Sequence, residues 1–446
     1  MRGFTSCVVR GGRVSFAPGL DETGSVAADA ARGGESVTHF RTVAVAAILG
    51  LWAPAALATN GMRMTGFGAL QDGMGGAGAA AAFDSSTIIV NPAGMSSLGR
   101  RFDISGTYFG ATVKYSATGA ATGSEMKSDK SAMPVPNLGV VLPSVLDERL
   151  TVGLGGFAVA GMGVEYGQDL FGGVTETSYT NMRVAPAASY RVTDRLSVGA
   201  AINVMYALMS YEVASGMGMV PRDTAGSVGI GATVGVMYRP FDALTLGAAY
   251  ETHSWFQEFE FDIPAHTVMT PLGPADVPGG TETLDFDQPQ MVTVGAAVRP
   301  FAGLLLVSDV EWIRWSETNG KNLPEFASDA QLTGGYPWNM SWEDQVVFKV
   351  GAEYAATARV RVRAGYNYGK MPLVKGAAFE NVAFPAIAEH HISAGLGFDV
   401  GKATVNVAGM YSPKATLSGS NPDQGIAAYE TTMSQYAFDL GVGYRF

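Results

Sequence analysis

Several stretches of the chain hold residue types that could do chemistry. Gly73-Met74-Gly75-Gly76-Ala77-Gly78 fits the G-x-G-x-x-G spacing with which a backbone cradles a pyrophosphate. That use requires a strand before the glycines and a helix after them within a βαβ unit, and no such unit surrounds them, so the dinucleotide reading fails. His390 and His391 could ligate a metal, but neighbours in an extended chain point to opposite faces, which is poor geometry for chelation. His253 beside Ser254 meets the same objection as a base and nucleophile, while a pair assembled from distant strands stays open. Asp309, Glu311, Lys349, Glu353, Arg361 and Arg363 sit on alternating runs, so each falls on the inner face of its run. Mutual ion pairing is the favoured reading, with a switchable conduit of ion pairs as the second. No catalytic residue, metal site or cofactor is assigned.

What must position these residues follows from composition. Of 446 residues, 47% are hydrophobic and only 15% charged, against about a quarter charged in a soluble domain. This points to a membrane protein, yet beyond the N-terminal region there is no run of about 18 apolar residues that would form a spanning helix. A closed sheet is the remaining way to cross a bilayer, because every backbone donor must then find an acceptor within the protein. A formal charge of −11 with no basic patch argues against nucleic acid as a partner. The single cysteine, Cys7, rules out an internal disulfide framework.

From Arg101 onward one unit recurs: an alternating run, a tight turn, a second run and a longer polar loop. Strands are expected at about 101–113, 135–146, 150–166, 178–192, 196–212, 226–239, 244–258, 286–299, 303–317, 341–355, 359–370, 389–400, 403–413 and 435–446, an even fourteen. Short connections at 147–149, 193–195, 240–242, 300–302, 356–358 and 401–402 alternate with long ones near 114–134, 167–177, 213–225, 259–285, 318–340, 371–388 and 414–434. Short turns belong on the periplasmic side, which puts both termini there. In the last strand Tyr436, Phe438, Leu440, Val442, Tyr444 and Phe446 share one face, as do Val228, Ile230, Val234, Val236 and Tyr238 in an earlier one. Tyr190, Tyr238, Tyr354, Phe398 and Tyr444 precede short turns or the C-terminus, where an interfacial girdle would stand. A soluble β-sandwich would not need these rows.

Upstream, the stretch 43–58 follows Arg41, carries a short apolar core and Pro54, and ends in Ala56-Leu57-Ala58, the pattern of a secretory signal. The expected organisation is an N-terminal extension at 1–38, with Val37 as a possible true start, a signal peptide at 39–58, an inner segment at 59–99 and the barrel at 100–446. The 59–99 stretch is rich in Gly and Ala and ends near Asn91-Pro92-Ala93. It has too few large apolar side chains to fold alone and must pack inside something larger.

The Gly-rich GMGGAGAAAAFD stretch, Asn91-Pro92-Ala93, the fourteen runs and the terminal Phe446 resemble the FadL-like family of outer-membrane transporters for long-chain fatty acids and aromatic hydrocarbons. The likeness spans essentially all of 59–446, and its most specific part is the Asn-Pro-Ala motif. It implies an all-β, 14-stranded antiparallel transmembrane barrel with residues 59–99 as a hatch in the lumen, anchored by Asn91, Pro92 and Ala93. It further implies a third strand that kinks inward and opens the wall to the bilayer, here at Ala160, Gly161, Met162 and Gly163. Glycine inside a strand permits such a bend, and Pro136, Pro143 and Pro186 each remove a ladder donor nearby. Small residues that merely fit the hatch against the wall are the competing explanation.

The function so implied is passive, ligand-gated uptake of small hydrophobic molecules, with apolar side chains in the 259–285 and 318–340 loops receiving the cargo. Implied partners are those ligands, outer-membrane lipid and the assembly machinery that reads a C-terminal strand ending in Phe446, for a barrel that works as a monomer. An outer-membrane hydrolase and an open porin are the alternatives: the first needs a catalytic constellation at the rim, the second an empty lumen.

Overall fold

The computed structural model describes residues 60–119, 125–129, 132–144, 147–167, 175–212, 222–270, 273–320, 340–377, 381–422 and 425–446. The extension at 1–38, the signal at 39–58, Thr59 and most of the 318–340 loop lie outside the described residues.

Fourteen strands form the wall. They are β1 (Arg101–Gly119), β2 (Ala132–Pro143), β3 (Leu150–Tyr166), β4 (Thr175–Arg191), β5 (Leu196–Glu212), β6 (Arg222–Phe241) and β7 (Leu244–Glu251), followed by β8 (Met291–Val298), β9 (Leu304–Ile313), β10 (Gln345–Ala355), β11 (Val360–Gly369), β12 (His390–Val400), β13 (Ala403–Asn421) and β14 (Ile426–Arg445). Each pairs antiparallel with the next, and β1 pairs β14 from Arg101↔Arg445 to Gly119↔Ile426, so the sheet closes. Closure leaves no free edge, the condition for a sheet in lipid.

Side-chain alternation runs through most of the wall, the Phe157–Val164 part of β3 being buried throughout instead. The outer face is apolar: Val228, Ile230, Val234, Val236 and Tyr238 on β6 are exposed, as are Phe438, Leu440, Val442 and Tyr444 on β14. The five aromatics expected at the turn-side girdle all face outward. The inner face carries the polar and small residues, and of the charged positions named from alternation all but Asp309 make ion pairs, whereas Asp309 accepts hydrogen bonds from the Gly78 and Ala79 N–H groups. Lys349 Nζ lies 2.7 Å from Glu311, Arg363 Nε 2.7 Å from Glu353, and Arg361 Nη1 2.6 Å from Asp399.

Two expected loops are in large part strand. The 414–434 stretch belongs mostly to an extended β13–β14 hairpin that pairs up to Asn421↔Ile426, and β1 continues to Gly119. The outer face of β13 beyond Tyr411 exposes Lys414, Thr416, Ser418 and Ser420, so the apolar alternation ends before the pairing does. Within 259–285, two small hairpins pair Phe259–Ile263 with Gly280–Leu284 and His266–Thr270 with Gly273–Val277.

Candidate functional site

The chain from Asn60 to Leu98 contains two single-turn helices, α1 (Ala69–Asp72) and α2 (Thr87–Val90), and a 3-10 turn (Pro92–Ser97). Too small-sided to build a core of its own, it is held by polar contacts to the wall. Gly78 and Ala79 donate their N–H groups to Asp309 on β9 (2.7 and 3.0 Å), and Gly75 donates to Ser393 Oγ on β12 (3.1 Å). Lys349 on β10 donates to the Thr65 carbonyl (3.0 Å), and Ser85 N donates to Asp103 on β1 (2.9 Å). Ser189 on β4 and Ser197 on β5 both donate to the Ala93 carbonyl (2.9 Å each). Partners on so many strands place this segment against the inner face around the wall. Wall glycines mark its closest approach, for a Cβ on Gly365 would overlap the Gly75 backbone and one on Gly247 the Ala79 carbonyl.

One contact joins this segment to the wall through charge. The buried carboxylate of Glu251, at the end of β7, receives both guanidinium nitrogens of Arg63 (3.0 Å each) and those of Arg183 on β4 (3.0 and 2.6 Å). Sequence reasoning missed this triad, and its only available signal was a lone Arg in the Gly-rich stretch. A second carboxyl, Asp72 in α1, is pushed well above the ordinary carboxylate range by burial first and then by the neighbouring carboxyl of Asp439, against opposing contributions from the Gly68 N–H and Lys349.

Asn91, Pro92 and Ala93 form one unit. Asn91 is fully buried, its Oδ1 accepts from Ala93 N (3.2 Å), and its Nδ2 donates to Ala79 O (2.7 Å) and to Val236 O on β6 (3.2 Å). Pro92 starts the 3-10 turn, where a missing N–H is harmless. Asn91→Ala leaves these groups unpaired, a loss on the order of 2 kcal/mol in local attachment. The barrel's own pairing does not involve that side chain. The expected result is normal insertion and heat-modifiable folding with reduced uptake of a labelled fatty acid; failure to insert would make the motif a folding element.

The third strand departs from regular pairing. β3 pairs β2 only from Thr151↔Pro143 to Phe157↔Asn137, while it stays paired with β4 along its whole length, past a bulge between Ala158 and Ala160. Beyond Phe157 its backbone turns to the inner segment: Met64 N donates to Val159 O (3.1 Å), Gly161 N donates to Met62 O (3.0 Å), and Arg63 bridges Ala160. Ala160, Gly161 and Met162 thus lie at these contacts or beside them, and Gly163 follows, paired with Ser178. The irregularity itself lies at Val159, ahead of the two glycines. Among the described residues no ladder pairing joins the Ala132–Pro136 part of β2 to β3. The interval is bounded at its far end by Asp129 N, which donates to Glu165 O (2.8 Å).

Above the inner segment lies an apolar cluster. Met62 and Met64 meet Met162 and Val164 of β3, Met133 and Val135 of β2, and the loop residues Phe259, Phe261, Phe286, Trp315, Trp342 and Phe384. Trp315 and Trp342 stand edge to face at 5.0 Å, as do Tyr179 and Phe286 at 5.0 Å. The other sequence candidates separate. His253 Nε2 contacts Asp287 at 2.6 Å, a hydrogen bond that raises the imidazole above its ordinary pKa, while Ser254 pairs through its backbone with Gln288. His390 faces outward to the Tyr366 hydroxyl (2.7 Å), and His391 faces inward.

Comparison with known proteins agrees with this architecture. Residues 51–446 match the family model described as outer membrane protein transport protein (OMPP1/FadL/TodX). Outer membrane protein P1 of Haemophilus influenzae is 24% identical over 311 residues, covering 60% of this chain and 61% of that protein's length. The crystal structure of the Pseudomonas putida toluene transporter TodX superposes with a TM-score of 0.70 at 18% identity, covering 86% of this chain and 99% of the other. A Pseudomonas aeruginosa FadL homologue gives 0.72 at 17% identity, covering 86% and 100%. With the closed fourteen-stranded wall and its apolar outer face, the match over residues 51–446 means that the chain belongs to the OMPP1/FadL/TodX family of outer-membrane transport proteins.

Proposed function

We propose that this protein is a passive, ligand-gated channel for small hydrophobic molecules such as long-chain fatty acids or hydrocarbons. Residues 60–98 serve as its hatch, and cargo leaves sideways between β2 and β3. The observation that carries the reading is the end of the β2–β3 ladder at Asn137↔Phe157, beyond which β3 bonds to the inner segment. A lateral path suits the solute: each CH₂ gains about 0.8 kcal/mol on leaving water, so a wet pore ending in the periplasm is a poor route. The apolar cluster above the hatch, with Met162 and Val164 of β3 among its members, gives cargo a dry surface leading to the interval. Solved relatives named as toluene transporters and a FadL homologue support this class of cargo.

An open porin is disfavoured by the many bonds between wall and inner segment, and the separation of Ser254 from its neighbouring His253 gives a hydrolase no support at that pair. The barrel acts as a monomer, and its C-terminal strand through Phe446 is what the assembly machinery reads. Cells that express the protein should accumulate labelled fatty acid or toluene faster than cells that lack it, while the purified protein passes little current in planar bilayers. Equal accumulation would overturn the transport reading. Large steady currents would overturn the hatch.

A further inference from the structure

The inner faces of four consecutive strands carry polar side chains that neither the hatch contacts nor the ion pairs use. Asn367 on β11 stands opposite His391 on β12, and Ser412 on β13 stands opposite Gln435 on β14. His391 Nε2 and Gln435 Oε1 lie 3.3 Å apart and join the two pairs into one row. All four residues are sealed, none more than 1% exposed. Even so, both amide atoms of Asn367, the Nδ1 of His391 and the Oγ of Ser412 have no hydrogen-bond partner. Asn60 of the inner segment, whose amide atoms are also unpartnered, closes one end, for a Cβ placed on Gly369 would stand 3.5 Å from its Oδ1.

Native interiors contain few unmade hydrogen bonds because each is destabilising, and a contiguous set on one face calls for a partner. The neighbouring cation does not set the character of the row. Lys349, opposite Asn367, is already bound to Glu311 at 2.7 Å and to the Thr65 carbonyl. The row therefore offers dipoles, both donating and accepting. The same strand faces carry Met410 and Met433 of the apolar cluster, so a molecule bound here would have its polar end on the row and its chain against methionine.

We propose that this row is a head-group site, which hydrogen-bonds the uncharged polar end of an amphiphile such as the hydroxyl of a long-chain alcohol and so favours it over a hydrocarbon of equal length. The proposal rests on the transport reading above and narrows its cargo. Because the row is sealed, a head group reaches it only when the packing over it, Asn60 included, gives way.

The test is uptake of labelled 1-dodecanol, dodecane and dodecanoate by cells expressing the protein, with surface abundance and the heat-modifiable band as controls. Wild type should take up the alcohol about tenfold faster than the alkane, the worth of one or two net hydrogen bonds. Asn367→Leu with Ser412→Ala should remove that preference and leave dodecane uptake within about twofold. Ser412→Ala alone, which deletes a hydroxyl bonded to nothing, keeps the fold and should shift the preference in the same direction by about threefold. Unchanged preference in both variants would make the row a buried structural patch, and equal loss of all three substrates would make it part of the hatch's attachment; either overturns the proposal. A preference for dodecanoate that these variants abolish would overturn the uncharged assignment. No uptake of any of the three by wild type would instead sink the transport reading itself.

Discussion

Glu251→Ala is expected to loosen the inner segment more than any other single change. The substitution leaves the Arg63 and Arg183 guanidinium groups buried, both of which now bond to that one carboxylate. Breaking a buried ion pair from one side costs about 3–5 kcal/mol, because the remaining charge is left without compensation. Arg63 can escape this penalty by leaving the wall, and it would take with it the Met62–Met64 contacts to β3. The purified variant should therefore show raised ion conductance and lose its folded, detergent-resistant band at a lower temperature, while Glu251→Asp recovers part of both. Wild-type conductance and thermal resistance in Glu251→Ala would show that the triad carries no such role.

The second large effect is expected at the bend of β3. Gly161→Val with Gly163→Val adds bulk on both sides of the buried Met162, next to the backbone bond from Gly161 N to Met62 O. Valine prefers the regular pleat, and overpacking a close-fitted interior costs about 1–3 kcal/mol. The strand should straighten towards β2 or fill the interval beside it, and uptake of a labelled fatty acid should fall on the order of tenfold at unchanged surface abundance. Normal uptake at normal abundance would direct cargo past the inner segment into the periplasm instead.

The wall was legible in the sequence because a lipid-facing strand writes its orientation into every second residue. Ile230 and Val234, or Leu440 and Val442, need no partner to declare their face. The hairpin at 414–434 was hidden for the complementary reason. Its outer face turns polar at Lys414, and a paired strand without apolar alternation reads as a loop. The motif at Asn91 could be located, but its bonds to Ala79 and Val236 depend on closure of the barrel. Arg63 and Glu251 are 188 positions apart, and no local pattern brings them together. At β3 the glycines pointed to a strand whose ladder to β2 ends early, whereas the bulge sits at Val159, a residue whose type favours regular pairing.

The length of the β13–β14 hairpin also bears on how far the wall reaches past the bilayer. Tyr411 and Tyr436 face each other in register, and on β14 the pairing runs from there to Ile426. At about 3.3 Å per residue and a tilt near 40°, that stretch rises on the order of 25 Å, about as much again as the apolar band itself. Its outer face is polar over this height, with Lys414, Thr416, Ser418 and Glu430 exposed. With a polar outer face over this height, the hairpin stands beyond an apolar band of that thickness rather than within it.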